Sequence, residues 1–175
     1  EVERVRKAGA LGIKVNPAWQ GLELNGPEMI DLGSYLLQEE IPLMVHVDHP
    51  YRLSPASPAH LHDLAVRLPE LRILAAHLGG LLGLYGLHPP VAEGLKNVWF
   101  DTAVSSTLEM VGFYVQAGLQ DKLVLGSDFP FNHSHSQKQM IQGIKDLGLE
   151  GEIVNKIFID NFLDFLGRKE GIACA

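Results

Sequence analysis

Cysteine is almost missing from these 175 residues. The only one, Cys174, stands next to the last position. No internal disulfide can form, so nothing points to an oxidising compartment, and a thiol so near a chain end is a poor nucleophile. Basic runs are also missing: nothing exceeds the pairs Arg6-Lys7 and Arg168-Lys169, and 14 Lys and Arg stand against 21 Asp and Glu, a formal charge of −7. Nucleic acid is excluded as an expected partner. The opening stretch EVERVRKAGA has neither the apolar core of a signal peptide nor an initiator methionine, and reads as the interior of a longer sequence. The expected compartment is the cytoplasm.

Residues 73–92, ILAAHLGGLLGLYGLHPPVA, carry no Asp, Glu, Lys or Arg and have the length of a membrane span. Four glycines, two histidines and two prolines in that stretch favour a buried strand followed by a glycine-rich loop. No Gly-x-Ser-x-Gly elbow, Walker loop or Gly-x-Gly-x-x-Gly is present.

What the chain does have is a recurrence of short apolar runs bounded by turn residues. Gly12–Asn16, Leu43–Asp48, Arg72–His77, Asn97–Asp101 and Lys122–Asp128 are five strand candidates, with starts 31, 29, 25 and 25 residues apart. Helical patterns separate them. Pro27 suits a first helical position before Met29, Leu32, Leu36 and Leu37, and Ser57-Pro58 reads as N-cap and first turn before Leu61, Leu64, Ala65 and Leu68. Ser105 or Ser106 is a candidate cap further on, as is Ser134 or Ser136. Ile153 to Leu166 has core spacing of a packed helix. Near-continuous apolar strands alternating with helices predict an α/β fold with a mostly parallel sheet covered on both faces, in one domain over residues 1–175.

In such folds chemistry gathers at the carboxyl ends of the strands. Those ends here carry Lys14 and Asn16, His46 and Asp48, His77, Asp101, and Asp128. A lone histidine on an apolar strand is usually a core residue with a satisfied hydrogen bond, and an aspartate after a strand is often only a turn-former. Several ionisable groups at one edge are expensive to bury unless they pair or bind a cation, so a shared polar site is expected. Two imidazoles and a carboxylate suit a borderline divalent metal: zinc first, with iron or manganese also compatible. Water on such a metal loses its proton near neutral pH, and an adjacent carboxylate can manage that proton.

The segments GIKVNP, LMVHV, LRILAAHLGG, NVWFDTA and VLGSDFPF, in this order and spacing, resemble strands four to eight of the amidohydrolase superfamily. The likeness is to the amidohydrolase-2 group, similar to aminocarboxymuconate-semialdehyde decarboxylase, whose members are metal-dependent hydrolases and decarboxylases on a (β/α)8 TIM barrel. It covers almost the whole chain, and HLGG with GSDFP are its most specific pieces. The resemblance implies a partial barrel of about five parallel strands with outer helices. It implies that His46 is a metal ligand and that Asp128 binds metal and handles the water proton. His77 would be a catalytic group or a second metal ligand, so the implied catalytic pair is Asp128 and His77, with His46, Asp128 and His77 as the metal set. Lys14 sits where some members bridge two metals through a carbamylated lysine; a structural ion pair is the alternative. Lys14, His49 and Phe129 are candidates to line a substrate pocket. The group's first-strand His-x-His pair is absent, as are strands one to three. His133 and His135 could substitute for that pair, or be loop histidines before a helix. His60, His62 and His88 read as helix-surface or loop residues.

The expected activity is hydrolysis of a small amide, ester or lactone by metal-activated water. Decarboxylation of a small aromatic or semialdehyde acid is the alternative, and an inactive partial barrel with an association role is the third. Five units cannot close a barrel, so two unpaired strand edges and self-association into a homo-oligomer are expected.

Overall fold

The computed structural model describes residues 1–50, 53–103, 108–131 and 136–168. Five strands, β1 (Ile13–Val15), β2 (Leu43–Val45), β3 (Ile73–Ala75), β4 (Val98–Asp101) and β5 (Leu123–Val124), form one parallel sheet in chain order. Each apolar run expected to be a strand contains one. The strands are shorter than the runs because the last residues of each run leave the ladder and build the rim.

Register explains the two faces. Ile13, Leu43, Ile73 and Val98 lie side by side, and Phe100 pairs with Leu123. With side chains alternating along a strand, these residues and Val15, Val45 and Ala75 all point to one face. There they form the main core with Met29, Leu36, Leu61, Leu64, Val111, Tyr114 and Ile144 from the covering helices. The opposite, inner face holds Lys14, Met44, His46, Leu74, Trp99, Asp101 and Val124.

The helix starts follow the expected chemistry. Pro27 opens the helix Pro27–Gln38. Ser57 accepts the His60 N–H at the start of Pro58–Arg67, and Ser136 makes a capping box with Gln139 ahead of Gln137–Asp146. Ser105, Ser106, Ser134, His133, His135 and Cys174 lie outside the described residues. Among the described residues no helix is long and apolar enough to cross a membrane.

One of the two strand edges expected to be open is covered. The Val124 carbonyl accepts from Thr102 on the β4 side, so the Leu123 carbonyl and the Leu125 N–H point outward. Both are met by the last helical segment. It runs through Gly151–Asn155, a π-helical turn at Lys156–Asp160 and Asn161–Phe165. Leu125 N–H donates to the Ile157 carbonyl at 2.9 Å, and Asn161 Nδ2 donates to the Gln120 and Leu123 carbonyls at 2.7 Å each. The wide turn offers a carbonyl sideways where an α-helix would use it internally. Beyond it, Phe162, Phe165 and Leu166 reach the inner face against Leu74, Trp99 and Val124. Asn161 therefore holds an edge as well as a helix. Asn161→Leu should lower stability by about 2–4 kcal/mol, because two carbonyls lose their donor. A shift of the urea midpoint worth less than about 0.5 kcal/mol would show the edge to be held by packing alone.

Candidate active site

His46 follows β2, and its N–H donates to the Val15 carbonyl at 2.9 Å, which keeps its side chain on the inner face. His77 follows β3, and its N–H donates to Asp101 Oδ1 at 2.8 Å. From there the backbone makes an unusual left-handed turn: His77, Leu78, Gly79, Gly80 and Leu81 have φ of 58°, 53°, 59°, 59° and 69°. Such a run is strained for residues with a Cβ. The Tyr114 hydroxyl donates to the Leu78 carbonyl at 2.5 Å, and Asp101 holds the turn's first N–H.

The turn and the strand bring the two imidazoles together, with ring centroids 4.8 Å apart at 77°. His46 Nδ1 and His77 Nε2 are 3.1 Å apart. On their far sides, His77 Nδ1 is 2.6 Å from the Ala103 carbonyl, and His46 Nε2 is 3.3 Å from Asp48 Oδ1. The Ala103 carbonyl only accepts, so His77 Nδ1 carries the proton and its Nε2 presents a lone pair toward His46. His46 has two positions for its one proton: on Nε2 it serves Asp48 Oδ1, and on Nδ1 it serves His77 Nε2 at 3.1 Å. With the proton on Nε2, both inner nitrogens are left as acceptors for a shared cation. Burial and then the neighbouring His77 push the His46 pKa down, with Asp48 opposing.

Asp101 is 4 % exposed and accepts N–H bonds from His77 and, at 3.1 Å, from Ala103. Burial raises its pKa, against the pull of His77 and Lys14. Lys14, on the same face, keeps access to solvent, yet the protein around its ammonium lowers its pKa, with Asp101 and then Asp128 pulling the other way. Lys14, Asp101 and Asp128 thus share one electrostatic neighbourhood.

Asp128 lies in the loop after β5 with φ of 56°, and its carbonyl accepts from Phe131 at 2.8 Å. Its charge is felt at Lys14, and among the described residues no ion pair joins it to Lys14 or to either ring. Phe129 is exposed, as is His49. Phe131, next to the Asp128 turn, meets Trp19 edge-on at 6.1 Å, so the loops after the first and last strands touch across the rim. His60 and His62 lie on Pro58–Arg67 and border a groove of about 750 Å³ with Leu53, Pro55, Leu82 and Tyr85. None of His46, His77, Asp101 or Asp128 lines it.

Three contributors were not assigned roles from the sequence. Asp48 stands two residues past His46, hence on the same strand face, and that spacing was a usable signal. Asp101 was visible as a strand end, but its role as the acceptor for the His77 turn depends on a neighbouring strand. The Ala103 carbonyl left no trace in the sequence.

Residues 1–168 match the amidohydrolase family, and the chain belongs to it. The fold is shared with solved TIM-barrel proteins. An uncharacterised TIM-barrel protein from Bordetella bronchiseptica is 16% identical with a TM-score of 0.74, over 95% of this chain and 62% of that one. A 5-carboxyvanillate decarboxylase from Novosphingobium aromaticivorans, complexed with manganese and 4-hydroxy-3-methoxy-5-nitrobenzoic acid, is 18% identical with a TM-score of 0.70 over 93% and 58%. A 4-oxalomesaconate hydratase from Rhodopseudomonas palustris is 18% identical with a TM-score of 0.65, over 94% and 58%. The chain therefore spans about three-fifths of the length of these barrels. Among curated protein sequences none matches it.

The donors fit a divalent metal in kind. Two imidazole nitrogens, His46 Nδ1 and His77 Nε2, stand 3.1 Å apart, the ligand type such a metal takes. They do not fit in number: among the described residues no group of three His, Cys, Asp or Glu is arranged to hold an ion.

Proposed function

We propose that this chain carries the C-terminal part of a metal-dependent hydrolase site acting on a small amide, ester or lactone. The observation that carries this reading is the His46–His77 pair, whose inner nitrogens stand 3.1 Å apart while each outer nitrogen meets an acceptor. His46 and His77 would hold the cation, zinc in the first instance and iron or manganese otherwise, with Asp128 completing the set. Such a cation supplies water activation and carbonyl polarisation when bound. Asp128 takes the water proton in this reading, Lys14 offers positive charge to an anionic substrate, and His49 and Phe129 border the substrate. Asp101 keeps His77 in place. The protein would work in the cytoplasm as a homo-oligomer on a small molecule, with neither nucleic acid nor membrane as partner.

The assay is hydrolysis of lactone, ester and amide panels by protein loaded with zinc or manganese, set against release of carbon dioxide from aromatic acids such as 5-carboxyvanillate. Turnover of the first panel that falls at least ~100-fold in Asp128→Asn supports the reading. Carbon dioxide release without hydrolysis would replace it with decarboxylation, which the likeness to a 5-carboxyvanillate decarboxylase favours. Silence in both panels, with self-association, would favour an association module, a role consistent with the lack of a three-donor group among the described residues.

A further inference from the structure

We infer that Asp48, braced by Ser54, is a positioning residue that fixes the His46 tautomer and so sets how strongly the His46–His77 pair takes a divalent cation. This rests on the reading above and extends it to residues outside the proposed ligand set.

The loop after β2 is folded around the Asp48 carboxylate. Asp48 N–H donates to the Ala56 carbonyl at 2.9 Å, Ala56 N–H donates to Ser54 Oγ at 3.1 Å, and the Ser54 hydroxyl donates to Asp48 Oδ2. In that circuit Oδ2 accepts from the loop, and Oδ1 lies 3.3 Å from His46 Nε2. The side chains of His46 and Asp48 are 25% and 17% exposed, so the contact is partly shielded from water.

The choice it makes is between two proton arrangements. With the proton on Nε2, His46 donates to Asp48 and presents a bare Nδ1 toward His77 Nε2. With the proton on Nδ1, His46 donates to His77 Nε2 instead; that consumes both inward lone pairs and leaves Nε2 bare against a carboxylate. The second arrangement gives a satisfied histidine pair with no place for a metal. On heavy-atom positions both are available at the same 3.1 Å, and the anionic partner at Nε2 decides between them. His77 faces no such choice, because the Ala103 carbonyl accepts from its Nδ1.

The test uses metal-free full-length chain labelled with 15N in its histidines, at a pH where the rings are neutral. Wild-type His46 should show the Nε2–H pattern. Asp48→Ala should move it to the Nδ1–H pattern and weaken the dissociation constant for Zn2+, by competition with a chelator, by about 10- to 100-fold. Ser54→Ala should shift both readouts the same way by about 3- to 10-fold, and Asp48→Asn should fall between wild type and Asp48→Ala. A merely structural role for Asp48 would lower the melting temperature and leave tautomer and affinity alone. If Asp48→Ala does not fold, Ser54→Ala and Asp48→Asn decide by the same two readouts. Variants that keep the Nε2–H pattern and bind within twofold of wild type overturn the inference. If wild type itself binds no Zn2+, the functional reading fails, and the nitrogen shifts still decide whether Asp48 sets the tautomer.

Discussion

Gly80→Ala is expected to lower the stability of this protein by about 3–6 kcal/mol, combining a left-handed backbone with a Cβ and an overpacked contact. The backbone there has φ of +59°, and a Cβ at position 80 would lie 2.2 Å from the Asp48 carbonyl oxygen and 2.7 Å from Pro58 Cγ. Neither neighbour is a flexible side-chain end: one is backbone of the loop that carries Asp48, and the other is the first residue of a helix. Relief would require the left-handed turn to move off that loop, and His77 would move with it. A loss of this size is a large share of the stability of a typical domain. Gly112 provides the contrast, since a Cβ there meets nothing within 4 Å inside the helix Glu109–Gln116. Gly112→Ala should stabilise by about 0.5–1 kcal/mol. Calorimetric melting of both variants checks the pair, and a Gly80→Ala protein that melts with wild type would mean that the turn is not fixed as described.

Asp101→Leu is expected to cost about 3–5 kcal/mol, because it strips the acceptor from the His77 and Ala103 N–H groups. Asp101→Asn keeps an acceptor and removes only the ionisation, so it isolates the pH dependence. Burial raises the Asp101 pKa in the folded chain. The folded state therefore keeps a proton that the unfolded chain gives up near pH 4, and the stabilisation this represents is whole below that pH and lost as pH rises through the folded value. Asparagine cannot ionise, and its side-chain oxygen still accepts from the His77 N–H. The stability of Asp101→Asn relative to wild type should thus improve between pH 4 and pH 7. Denaturant unfolding at both pH values gives the sign, and a relative loss over that interval would mean that Asp101 is held as a stabilised carboxylate.

The parallel sheet and its order were legible because buried strands are written as apolar runs, and the Ser57-Pro58 and Pro27 helix starts because caps are local chemistry. Strand ends were less legible. Where the ladder stops at Leu125 depends on a carbonyl 32 residues later, supplied by a π-turn that has no sequence signature of its own. The covered β5 edge was missed for the same reason. In the site, His46 and His77 could be read as partners because both end strands on one rim. Asp128 follows the last strand as expected, and its electrostatic reach to Lys14, on the first strand, depends on how the sheet brings the two together. The proton arrangement of the two rings could not be read at all, since the atoms near their outer nitrogens, Asp48 Oδ1 and the Ala103 carbonyl, are brought there only by the fold.

The central claim is that His46 Nδ1 and His77 Nε2 together bind one divalent cation. Calorimetric titration of metal-free chain with Zn2+ tests it most directly, using wild type, His46→Ala and His77→Ala, each confirmed as folded by its melting transition. The account predicts one site per chain in wild type and at least ~100-fold weaker binding in each single variant. Binding that survives both substitutions unchanged, or a wild-type chain that takes up no metal, would contradict it.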